Sequence, residues 1–98
     1  MSAMVWGVSA ALFLAGLAAV VLRRQFLAML LGLELMISAV NVALVYCASL
    51  FADEQGLSAG LLVIAVAAAE AVVGLSLILA IRESNRPAET AAFRELRG

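Results

Sequence analysis

The sequence predicts an all-α integral membrane protein of three transmembrane helices, with its N-terminus outside and its C-terminus inside. Three observations carry that expectation. Hydrophobic residues make up 66% of the 98 and charged residues only 13%, with a mean hydropathy of +1.16. A soluble domain of this size cannot hide so much apolar surface, nor cover it with so few charges. The ionisable residues gather at the ends of three apolar runs, each long enough at about 1.5 Å per residue to cross a hydrocarbon core of about 30 Å. The arginines then fall on one side of the bilayer, as the positive-inside rule requires. Residues 1–98 therefore form a single membrane domain, with no room for a separate catalytic domain.

The first helix covers about residues 3–22, which hold no ionisable group, with Trp6 near its outer end. No positive charge precedes it and it is too long for the apolar core of a cleaved signal, so it stays as a span. Arg23, Arg24 and Gln25 follow. The string RRQFL has the look of a twin-arginine export signal, but that signal puts its arginine pair ahead of its apolar segment. The second helix covers about residues 26–52, apolar except for Glu34, Ser38, Asn41 and Ser49, and Tyr46 and Phe51 belong to an outer aromatic belt. Residues 53–56, DEQG, make an acidic outer loop. The third helix covers about residues 57–81, interrupted by Glu70, and Arg82 opens a polar tail over residues 82–98 that also carries Arg86, Arg94 and Arg97. Helices are expected throughout because no run alternates with period 2, and an open sheet would leave backbone groups unpaired in lipid. Beyond Pro87, residues Ala92, Phe93 and Leu96 share one face of a short helical turn, which reads either as a strap docking on a neighbouring subunit or as a frayed end.

Composition removes several classes of function. One cysteine, Cys47, rules out an internal disulfide and a multi-cysteine metal site. With no histidine, the commonest metal ligand and neutral-pH proton carrier is missing. There is no lysine, and the six arginines sit in two places, so nothing directs the chain to nucleic acid. No nucleotide-binding glycine pattern or nucleophile constellation occurs. Cys47, Met29 and Met36 read as packing residues.

Two of the thirteen charged residues lie inside the spans, Glu34 and Glu70. An acid at a helix centre costs about 2.5–3.5 kcal/mol on insertion scales, while each Leu, Val or Ile returns about 0.3–0.6. Insertion survives, provided each carboxyl faces a protein interior or water. Low-dielectric surroundings disfavour a charged carboxylate, which makes such a group able to take up and release a proton. Counting from the inner ends, Glu34 lies about 12 Å deep and Glu70 about 17 Å deep. Across packed helices the carboxyls would stand about 10 Å apart, a gap for water to bridge. Glu34, Ser38 and Asn41 fall at i, i+4 and i+7, a polar stripe suited to ordering water. Glu70 is flanked on its face by Ala67 and Gly74, while Ala15 with Ala19 and Ala28 with Gly32 offer small-residue helix contacts. The bland alternatives are cross-helix hydrogen bonding for the polar residues and a topology-setting role for Arg23 and Arg24. Three helices alone cannot enclose a wet path and an energy source, so the chain is expected to be one part of a larger assembly.

Over nearly its whole length the sequence resembles the K subunit of respiratory complex I, the bacterial proton-translocating NADH:quinone oxidoreductase, whose mitochondrial counterpart is the small 4L subunit. The likeness rests on VLRRQFLAMLLGLELMISAVNVALV, VAAAEAVVGLSLILAI, three spans in about a hundred residues and the closing ELRG. It implies a non-redox membrane-arm subunit in a bacterial inner membrane, next to quinone-proximal and antiporter-like subunits, where quinone reduction drives proton movement. The family's two intramembrane glutamates fall on Glu34 and Glu70, and its inner-loop basic pair on Arg23 and Arg24. No cofactor is implied in this subunit; FMN, iron-sulfur clusters and quinone belong to other subunits. Gln25 and Ser38 stand where the family commonly has Asn, and GLSAGLLVIAV departs from the usual start of helix 3. These departures leave the electron donor open. The alternatives are the C-type subunit of a multi-subunit Na+/H+ antiporter, which shares the three-helix plan but not the ELRG ending, and a purely structural small membrane protein.

Overall fold

The computed structural model describes residues 2–84 and is all-helical: α1 is Ser2–Leu22, α2 is Phe26–Leu50 and α3 is Glu54–Ser84. All three are long and apolar enough to cross a membrane. The helical strap expected between Pro87 and Leu96 lies outside the described residues.

The ends of α2 and α3 differ from expectation for a local reason. α2 stops at Leu50, and Phe51 caps it. Ala52 turns into the left-handed region at φ 50°. From there the Ala52 amide donates to Ser49 O at 3.3 Å and the Asp53 amide to Ala48 O at 2.9 Å, the two bonds of a Schellman termination. Asp53 then caps the next helix. Its Oδ1 accepts from the amides of Gln55 at 3.0 Å and Gly56 at 3.3 Å, and its carbonyl accepts from Leu57 N at 3.1 Å. The acidic DEQG stretch is thus a cap and first turn rather than a loop. α3 begins at Glu54 and carries Arg82 within its last turn.

The helices form a row. α2 packs against both α1 and α3, and α1 and α3 do not touch among the described residues. The thinnest dimension is 15 Å, little more than one helix diameter of about 10–12 Å. The buried residues are all small: Ser9, Gly16, Gly32, Ala39, Ala48 and Gly60. Large apolar side chains such as Leu14, Leu61 and Val72 point outward, each more than half exposed. A row whose large side chains face out suits lipid and neighbouring helices, and its own cohesion comes from close backbone approach.

α1 and α2 cross where Gly16 meets Gly32. A Cβ added to Gly32 would lie 2.6 Å from Gly16 O, and one added to Gly16 would strike Gly32 O and sit 2.8 Å from Met36 Cγ. Of the small residues named from the sequence, Ala19 and Gly32 meet at this crossing, but Ala15 is exposed and Gly16 takes its place. Two contacts tie the helices beyond it: Ser9 Oγ donates to Ala39 O at 2.7 Å, and Trp6 meets Tyr46 edge to face at 6.3 Å.

α3 runs antiparallel to α2 in a register that its small residues reveal. Gly74 faces Leu30, Gly60 faces Val45 and Gly56 faces Ala48, and each pair of residue numbers adds to 104 or 105. The same register brings Arg82 level with residue 22. Arg23, Arg24 and Arg82 therefore share one end of the row, and Asp53 and Glu54 the other.

Candidate intramembrane carboxylate site

Glu34 and Glu70 also add to 104, so they stand level across the α2/α3 seam. The sequence count, which put one about 5 Å deeper than the other, is corrected by the register: α3 overruns the start of α2, so distances from the two helix ends are not comparable.

Level does not mean adjacent. With successive residues about 100° apart around a helix, the α3 residues facing α2 are Gly60, Ala67 and Gly74, and Glu70 is rotated to one side of that line. The carboxyls consequently open on opposite broad faces of the row. On one face, Glu34, Ser38 and Asn41 line a groove of about 260 Å³ together with Ile37, Val63, Ile64, Ala67 and Ala68. On the other, Glu70 lines a groove of about 270 Å³ with Ile37, Leu62, Val63, Val66 and Ala67. The three residues common to both grooves, Ile37, Val63 and Ala67, are the wall between them.

The two acids differ in cover. Glu34 is half-buried, whereas Glu70 is exposed on the surface of the chain. Of the two settings expected for each acid, a protein interior or water, this chain supplies no interior for Glu70, and the reason is architectural: α3 is an end helix of the row and has one neighbour among the described residues. Ala67 and Gly74 line grooves together with Glu70, as expected, and also serve the α2 seam. Neither glutamate makes a hydrogen bond or ion pair among the described residues, and Arg23 and Arg24 sit exposed in the short turn at the row's end.

The expected polar stripe exists, and its two remaining members differ in setting. Ser38 is exposed beside Glu34, and Asn41 turns inward, where its Oδ1 is buried without a hydrogen-bond partner. That oxygen points at the gap left by Gly60, 3.5 Å from where a Cβ there would lie. A buried carbonyl with no donor costs about 1–3 kcal/mol, so the position favours a water or a donor from another helix. Sequence reading missed the wall residues Ile37 and Val63 and the Ser9 tether, and it took Ala67 only as a small neighbour of Glu70. The spacing of Gly56, Gly60, Ala67 and Gly74, at intervals of four and seven, is the signal that marks the seam.

The fold and the site define a three-span membrane protein with one carboxylate on each face of a single helical layer. The chain belongs to the family of NADH-ubiquinone/plastoquinone oxidoreductase chain 4L, which matches residues 4–98. It is similar to NADH-quinone oxidoreductase subunit K of Thermomicrobium roseum, with 42% identity over 91% of this chain and 87% of the relative. It is equally similar to NADH-quinone oxidoreductase subunit K 2 of Aquifex aeolicus, with 42% identity over 93% of this chain and 89% of the relative. No solved structure gives a significant match.

Proposed function

We propose that the chain is a membrane-arm subunit of a bacterial proton-translocating NADH:quinone oxidoreductase, in which Glu34 and Glu70 are proton stations on a lateral hydrated path. The observation that carries this reading is the level placement of two carboxyls, without counter-ions among the described residues, on opposite faces of one helical layer. An acid left against lipid costs about 2.5–3.5 kcal/mol, so Glu70 requires a neighbouring subunit or water on its face, and Glu34 requires the same on the other. A carboxylate can then receive a proton from one side of the layer while its protonated counterpart delivers one to the other.

The remaining residues take supporting roles. Ser38 and Asn41 order water at Glu34, and Asn41 Oδ1 gains its missing donor from that water. Arg23 and Arg24 bias the inner mouth electrostatically. The arginine-rich end faces the cytoplasm and the Asp53 end faces outward, giving an N-out, C-in chain in the inner membrane. The subunit holds no redox group of its own; flavin, iron-sulfur centres and quinone belong to its partners.

The test uses Glu34→Gln and Glu70→Gln in the assembled complex reconstituted in vesicles. Each is expected to reduce proton uptake by about a hundredfold, the lower end of what a positioned acid-base group contributes. Normal uptake in both variants would sink the relay. A native complex purified without flavin and iron-sulfur centres would favour the antiporter alternative.

A further inference from the structure

We infer that Ile37, Val63 and Ala67 form a dry barrier across the α2/α3 seam that separates the proton half-site at Glu34 from the half-site at Glu70, so that this seam, rather than an open channel, governs transfer between them. The inference rests on the relay reading and adds to it the element that controls passage. The grooves that hold the two carboxyls open on opposite faces and share these three residues. All three are apolar. The polar members of the set, Ser38 and Asn41, lie on the Glu34 side only, and no second polar side chain accompanies Glu70 in its groove. Among the described residues of this chain a proton therefore has no side-chain carrier between the two acids, and crossing the seam requires water to enter it.

The seam is built to admit such a change. Its α3 side is lined by Gly60, Ala67 and Gly74, so small side chains separate the backbones, and it is the Leu30 side chain that lies against Gly74. A slight separation of α3 from α2, imposed by whatever covers Glu70, would admit water past Ala67. Return to contact would expel it, because the wall offers water no hydrogen-bonding partner. During transfer the proton leaves one carboxyl oxygen, passes along the transient water and is taken by the other carboxylate. Charge and atoms balance without a redox step in this subunit.

The experiment wets the wall. Ala67→Ser adds one hydroxyl to the smallest wall residue, and Val63→Thr adds one at nearly constant volume. Each is made in the complete complex, reconstituted in vesicles, with Val63→Ile as the apolar control. Passive proton entry is driven by an imposed potassium diffusion potential without electron donor, and proton uptake per quinone reduced is measured separately. The expected result is a rise in passive entry of about tenfold, the effect of lowering a barrier by about 1.4 kcal/mol, in both polar variants and not in Val63→Ile. Quinone reduction continues, uptake per quinone falls, and adding Glu34→Gln to either polar variant abolishes the leak. If passive entry and coupling are unchanged in Ala67→Ser and Val63→Thr while Glu34→Gln alone stops uptake, the barrier is wrong and the relay stands. A leak that persists with Glu34→Gln also overturns the barrier, since it would run elsewhere. Normal uptake in Glu34→Gln and Glu70→Gln overturns both readings together.

Discussion

Single polar atoms do distinct work in this chain. Ser9 Oγ gives its proton to Ala39 O at 2.7 Å in a buried setting, a side-chain bond that ties α1 to α2. Bonds of this kind in lipid are worth about 0.6 kcal/mol on average. Ser9→Ala is expected to lower the unfolding free energy of the detergent-solubilised subunit by about that amount, with no effect on proton uptake. Asn41 is the opposite case. Its Oδ1 has no partner, so Asn41→Leu removes an unmet acceptor and is expected to leave subunit stability equal or raise it by up to about 1–3 kcal/mol. The same substitution in the assembled complex is expected to slow proton uptake severalfold, because the water beside Glu34 loses its anchor. Lower subunit stability with normal uptake would show Asn41 to be a packing residue only.

Between helices, the decisive contacts are made by backbone. At the Gly16/Gly32 crossing a methyl group has no space, because its neighbours include backbone carbonyl and amide atoms that cannot swing aside as well as the Met36, Val20 and Ala19 side chains. Gly16→Ala is expected to destabilise by about 1–3 kcal/mol. Around Gly7 an added methyl group would meet nothing within 4 Å, so Gly7→Ala gains only helix propensity, about 0.5–1 kcal/mol. Thermal unfolding of the two variants side by side gives opposite signs if the crossing is as described. The α2/α3 turn supplies a second contrast. Ala52 occupies a positive φ of 50° that glycine adopts without strain, and Ala52→Gly is expected to hold or raise the midpoint of unfolding while most other residues there lower it.

Taken whole, the molecule is a layer one helix thick with a basic end and an acidic end. Under the proposed orientation, a cysteine at Gln55 in a Cys47→Ser background reacts with a membrane-impermeant maleimide added to the outside of intact cells. A cysteine at Gln25 reacts only after the membrane is opened. Reversed labelling would invert the topology and place Arg23 and Arg24 on the outer face. Much of this layer was legible in the residues. Charge-free runs marked the spans, and the arginine pair and DEQG marked the turns. Glu34 and Glu70 stood out because an acid in oil is expensive. The helix ends were less legible: the acidic stretch read as a loop because four polar residues in a row look alike whether they cap a helix or connect two.

Length, apolarity and the placement of charge are additive along the chain, so the sequence alone determined three spans, their common ends and the two intramembrane acids. Which faces those acids occupy depends on how each helix is rotated and which neighbour it meets, and pairing within one helix cannot reveal that. Only the tertiary structure set α2 in the middle of a row, brought Glu34 level with Glu70, turned them to opposite sides and put Ile37, Val63 and Ala67 between them. The physical reason is that glycine and alanine on α3 pack against α2 at closest backbone approach, and that contact rotates Glu70 away from Glu34.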